Sequence, residues 1–154
     1  SPEDGQGGTM LKGIPPIIQP DLLKILSEMG HGDAIVLAGA HFPAESVGVR
    51  SHVIRYDGQP IEPLLDAVLQ LIPLDQYTEH PVLLMDKVPG DTVDTPIWDR
   101  YRQVIDRHEP GRQAGIGMLE RFAFYEEAGR SYCIVATGEQ SQYANIIIRK
   151  GVIR

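Results

Sequence analysis

The stretch Leu22-Leu23-Lys24-Ile25-Leu26-Ser27-Glu28-Met29-Gly30-His31-Gly32-Asp33-Ala34-Ile35-Val36-Leu37-Ala38 decides the fold. Leu22, Leu23, Ile25, Leu26 and Met29 recur at helical spacing, and Gly30 is a natural stop. Pro20-Asp21 opens the helix: proline is tolerated in the first turn, and the acid suits the positive end of the helix dipole. Ala34 to Ala38 is then continuously apolar, the pattern of a strand covered on both faces. His31 stands at the junction. Two flanking glycines leave space around its ring, a good setting for a proton-transfer group.

Outward from that stretch, helices and strands keep alternating. Gly39 to Gly48 reads as a loop. Ser51 to Arg55 reads as a strand ended by the turn signal Asp57-Gly58. Pro60 to Leu71 is an amphipathic helix, and Val82 to Met85 a strand. Pro89-Gly90-Asp91 is a loop. Pro96 to His108 and Glu120 to Ala128 are helices, with Phe122 and Phe124 expected in the core. Tyr132 to Ala136 and Ile146 to Arg149 are strands. Only about ten residues separate these last two, too few for a helical crossover, so antiparallel pairing at one edge of the sheet is expected. The expected class is α/β: one domain, residues 10–154, with layered helices against a mixed β-sheet. Residues 1–9 are polar and glycine-rich and precede Met10, which reads as a natural start. They are taken as a disordered tail or an added remnant.

Composition narrows the function. The chain has 154 residues, 42% hydrophobic and 23% charged, with 21 acids against 14 bases and a formal charge of −7. No basic stripe appears, so nucleic acid and anionic membrane surfaces are excluded as expected partners. No apolar run reaches the ~18 residues of a membrane span. The one cysteine, Cys133, reads as a small buried hydrophobe. With no disulfide and no signal-peptide pattern, a cytoplasmic location is expected. None of the five histidines stands at a metal-ligand spacing, and no phosphate-binding or dinucleotide loop occurs. Neither metal nor cofactor is expected.

Three clusters can carry chemistry. His31 follows a helix C-terminus, where the dipole favours a protonated imidazole; its plain alternative is a surface capping residue. Arg121 and Tyr125 share a helix face and offer fixed donors, a hydroxyl and a flat ring to a polyhydroxylated ligand; the alternative is a surface pair. Thr137-Gly138-Glu139-Gln140-Ser141-Gln142-Tyr143-Ala144-Asn145 is dense in neutral hydrogen-bonding groups at a strand end, where open α/β sheets place ligands; the alternative is a solvated loop. Together they suit a neutral sugar.

Met29-Gly30-His31-Gly32-Asp33, His41-Phe42-Pro43-Ala44, Arg121-Phe122-Ala123-Phe124-Tyr125-Glu126, Thr137-Gly138-Glu139, Tyr143-Ala144-Asn145-Ile146 and Lys150-Gly151-Val152 follow one another in an order and spacing that resembles the fucose mutarotase branch of the ribose pyranase/fucose mutarotase family. The resemblance covers Met10 to Ile153. It implies an RbsD-like fold and a homo-oligomeric ring, often a decamer. It also implies a cofactor-free enzyme that interconverts the anomers of a free monosaccharide, L-fucose first. By resemblance His31 is the acid/base residue and Tyr125 a second catalytic group. Tyr143 and Asn145 bind sugar from a neighbouring subunit, and Arg121 and Asp75 contact ligand. The chain departs from the family at Gly39, where an aspartate is usual. Such a carboxylate can orient the histidine or accept a hydroxyl proton; His41, Asp33 and Glu45 are candidates to replace it. Two alternatives follow: a monosaccharide-binding protein without catalysis, favoured by Gly39, and an interaction subunit with a vestigial pocket.

Overall fold

The computed structural model describes residues 8–154. In chain order it contains α1 (Pro20–Glu28), β1 (Ala34–Ala38), α2 (Ala44–Val47), β2 (His52–Tyr56), α3 (Ile61–Leu71), β3 (Val82–Met85), α4 (Pro96–His108), β4 (Ile116–Leu119), α5 (Arg121–Gly129), β5 (Cys133–Thr137) and β6 (Ile146–Arg149). The strands form one sheet in the order β2-β5-β1-β6-β3-β4. The sheet is mixed, as expected: β6 runs antiparallel to both β1 and β3, and the other pairs are parallel.

Two expectations are corrected. β5 and β6 do not pair at an edge; β1 lies between them and β6 is internal. The cause is in its composition: Ile146, Ile147 and Ile148 are all fully buried, so both faces of β6 need cover, and only an interior strand has it. The second concerns residues 39–48, where α2 interrupts the expected loop. Its four residues are too few to show a helical period. The strand β4 was not anticipated at all.

Strand geometry sends alternate side chains to opposite faces, and each face has its own core. Ile35, Leu37, Val135, Ile146 and Ile148 pack under Leu22 and Leu26 of α1, Leu64, Leu65 and Val68 of α3, and Tyr101 and Ile105 of α4. Val36, Ala38, Ile134 and Ile147 face Ala44 of α2 and Phe124 and Ala128 of α5. Alanines on this second face let its short helices sit close. Cys133 is buried, as expected, and burial pushes its thiol up to about 12; it stays protonated and unreactive. Among the described residues, no helix is long and apolar enough to cross a membrane. Of the expected N-terminal tail, residues 1–7 lie outside the described residues, whereas Thr9 is buried and donates its N–H to the Ile18 carbonyl at 3.0 Å.

Close backbone approach fixes one loop. A Cβ on Gly138 would lie 2.2 Å from the Asp57 carbonyl oxygen. The Gly138 N–H also bonds to Gln59 at 2.9 Å, so neither chain can yield cheaply. Gly138→Ala is therefore expected to cost about 3 kcal/mol, read as a lower urea midpoint; an unchanged midpoint would show that the two loops separate freely.

Candidate active site

Two clusters form at opposite ends of β1. The register pairs Ala34 with Arg149 and Leu37 with Ile146. Residues just before β1 and just after β6 therefore meet at one end of the sheet, while Gly39 and Asn145 meet at the other. A strand of this length puts the ends roughly 15 Å apart.

His31 occupies the first end. Gly32 has φ +86°, which its neighbours in chain order could adopt only with strain; its N–H bonds to the Lys150 carbonyl at 2.8 Å. Lys150 in turn donates its Nζ to the Leu26 and Met29 carbonyls at 2.9 and 2.5 Å, covering the negative end of α1. His31 is thus carried on a pinned turn. Its ring tilts against Tyr77 with centroids 5.1 Å apart. Nε2 lies 2.9 Å from Asp75 Oδ1, and the carboxylate can only accept, so Nε2 carries a proton and Nδ1 is the nitrogen that meets an incoming group. The imidazole is 43% exposed and the carboxylate 8%. Burial would raise the Asp75 pKa, but the Tyr77 N–H and His31 outweigh it and hold it below the usual value. Asp75, expected at the ligand, is placed against His31, where its carboxylate orients the ring.

The second end is a cavity of about 330 Å³ lined by Gly39, His41, Arg121, Tyr125, Tyr143 and Asn145, among others. The sequence clusters on α5 and before β6 are thus brought together. Arg121 donates Nε–H to the Tyr125 hydroxyl at 3.3 Å and lays its guanidinium over that ring at 5.4 Å. The bond fills a lone pair of the phenol and leaves its O–H to give. Glu120 caps this helix, accepting from the N–H groups of Phe122 and Ala123. Asn145 Oδ1 accepts the Gly39 N–H at 2.7 Å; a backbone N–H can only donate, so the amide NH₂ is the end left to offer.

The structure separates other candidates. His31 does not line the cavity with Arg121 and the tyrosines. Phe124 is fully buried as expected, but Phe122 is 66% exposed. Of the three replacements for a carboxylate at position 39, only His41 lines the cavity. Asp33 accepts the Gly30 N–H at 2.8 Å, and Glu45 pairs with Arg55 at 3.1 Å. Two carboxylates do line the cavity, Glu139 and Asp91. Glu139 accepts from the N–H groups of Ile61 and Ser141, which caps α3. Asp91 reads in sequence as a loop residue; its one signal is its place in the loop that follows the strand β3. Among the described residues, no three His, Cys, Asp or Glu side chains gather to hold a metal ion.

Comparison with known proteins adds to this geometry. Residues 12–153 match the RbsD / FucU transport protein family. The L-fucose mutarotase of Actinobacillus pleuropneumoniae serotype 5b (strain L20) is 50% identical over 143 residues, 93% of this chain and 97% of that protein. The crystal structure of FucU from Bifidobacterium longum superimposes with a TM-score of 0.91 at 55% identity, covering 93% of this chain and 100% of that one. The fucose mutarotase of Streptococcus pneumoniae, solved in complex with L-fucose, gives 0.87 at 49% identity, covering 94% and 100%.

Proposed function

The chain belongs to the RbsD / FucU family, and on that premise we propose that it is a sugar mutarotase, an isomerase that interconverts the anomers of free L-fucose without a cofactor. The carrying observation is the cavity in which Arg121, Tyr125, Tyr143 and Asn145 converge. It presents donors, acceptors and ring faces to hydroxyl groups, and relatives of this fold are named for L-fucose mutarotation.

The site is completed between protomers. Each chain carries a proton-transfer pair, His31 and Asp75, at one end of the sheet and a sugar cavity at the other. A head-to-tail contact sets the first end of one protomer against the second end of the next, and such contacts form a ring where the rotation closes; a ring, often a decamer, is what the family resemblance implies. Exposed apolar side chains at both ends support the contact: Tyr77 against the His31 ring, Phe122 against Tyr125 and Val88 in the cavity lining. Both would be awkward in water and suit an interface.

The reaction then needs two proton transfers. A base takes the proton of the anomeric hydroxyl while an acid protonates the ring oxygen; the C1–ring oxygen bond breaks and the aldehyde forms. Rotation about C1–C2 and closure on the other face reverse both transfers and give the second anomer. His31 Nδ1 handles one proton, since an imidazole titrates near neutrality and serves in both directions. Tyr125 handles the other. Arg121, Tyr143 and Asn145 hold the hydroxyls through ring opening. The cytoplasm is the proposed location, in keeping with a single, buried and unpaired thiol.

Saturation-transfer NMR of L-fucose tests the reading directly. The chain should accelerate exchange between the α and β anomeric protons. Binding by calorimetry with exchange at the uncatalysed rate would make it a sugar-binding protein instead; neither binding nor exchange would leave a structural subunit.

A further inference from the structure

We propose that Asp91 is a positioning residue of the sugar site: it fixes the Tyr143 phenol so that its oxygen meets the sugar as a hydrogen-bond acceptor. This rests on the sugar-site reading above and goes beyond it in assigning a residue and a polarity.

Tyr143 is the one non-glycine at positive φ among the described residues, at 58°. A left-handed tyrosine persists only where its surroundings over-determine it. Here they do. Trp98 Nε1–H donates to the Tyr143 carbonyl at 2.7 Å, and the buried Tyr101 hydroxyl donates to the Ala144 carbonyl at 2.6 Å. These two bonds fix the backbone from α4. They leave the phenol free to rotate its proton. Asp91 removes that freedom: the Tyr143 hydroxyl donates to its Oδ2 at 2.5 Å. The carboxylate is itself oriented, because Oδ1 accepts the Val93 N–H at 3.1 Å. The loop bearing Asp91 is anchored where it leaves β3, by the Asp86 N–H on the Leu119 carbonyl at 2.7 Å.

A phenol has one proton and two lone pairs. The proton is committed to Asp91, and the Val88 N–H reaches the oxygen at 3.3 Å. What remains to Tyr143 is a lone pair, so it accepts from a sugar hydroxyl. Asn145 beside it keeps its NH₂ to donate. The two side chains therefore read opposite polarities of the ligand. The bond also holds Asp91 below the usual carboxylate range and raises the Tyr143 phenol, so the proton stays on tyrosine and the charge on aspartate. Both groups line the cavity, in a chain whose position 39 supplies no carboxylate.

The test measures L-fucose binding by calorimetry and anomer exchange by NMR in the wild type, Asp91→Ala, Tyr143→Phe and the double variant. Asp91→Ala should weaken L-fucose binding about tenfold with a smaller change in kcat. In the Tyr143→Phe background it should have no further effect, because Asp91 acts only through the phenol. Asp91→Asn keeps an accepting oxygen and drops the charge. It should retain most of the affinity while the Tyr143 phenol, followed by NMR of ring-labelled tyrosine, titrates at lower pH than in the wild type; this arm stands if the alanine variant fails to fold. Unchanged affinity in Asp91→Ala, an equal loss in the Tyr143→Phe background, or an unmoved phenol titration in Asp91→Asn overturns the proposal. A wild type that binds no L-fucose overturns the sugar-site reading together with this one, whereas wild-type binding with an indifferent Asp91→Ala overturns this one alone.

Discussion

Replacing His31 by alanine should slow L-fucose anomer exchange about a hundredfold or more, the usual cost of losing a general acid/base group. The geometry says why no neighbour takes over. The imidazole is the half-exposed group at this end, and Asp75 behind it is nearly buried and already accepts the Tyr77 N–H at 3.0 Å. Its carboxylate cannot reach out in the ring's place. The fold should survive, since the ring is half exposed and the turn that carries it is held by the backbone of Gly32 and by Lys150. Exchange NMR and a melting curve on the same sample separate the two effects. A rate within threefold of wild type, with the melting transition unchanged, would remove His31 from the chemistry.

The second large effect is a recovery. His31→Ala and Tyr125→Phe should each be inactive alone, yet an oligomer containing both should work. One protomer would supply an intact His31 and the next an intact Tyr125. With random assembly of equal amounts, about a quarter of head-to-tail contacts join two intact halves. Co-expression with two different affinity tags, followed by purification on both, gives the mixed species. Its activity should rise to about a quarter of wild type. A doubly tagged oligomer no more active than its parents would show that the halves do not meet between protomers.

The elements that position the site were legible where periodicity is long or cover is complete. α1, α3 and α4 show helical spacing over several turns, and the apolar run of β1 falls at the residues observed. β4 was not legible: Ile116-Gly117-Met118-Leu119 has no alternation, a glycine inside it and only one β-branched residue, Ile116. It is a strand because it pairs with β3, an edge position chosen by tertiary contact. The place of β6 was readable in principle, since three consecutive isoleucines ask for cover on both faces; the short connection from β5 does not require the two strands to pair. For the site, the Arg121–Tyr125 pair followed from helix geometry and Asn145 from its place at a strand end. The distance between His31 and that cavity did not follow, because it depends on which strand lies beside β1. Asp91 escaped because a loop aspartate carries no periodicity; only the folded chain brings it to Tyr143.

The internal position of β6 also orders events at the ribosome. It is the last of the six strands to be synthesised, yet it is the one that joins β2-β5-β1 to β3-β4. Until it emerges, the nascent chain holds two part-sheets whose inner edges, β1 and β3, lack a partner. Unpaired edges of that kind recruit other chains. A chain truncated just before residue 146 would therefore lack β6 and be prone to aggregate as it is made.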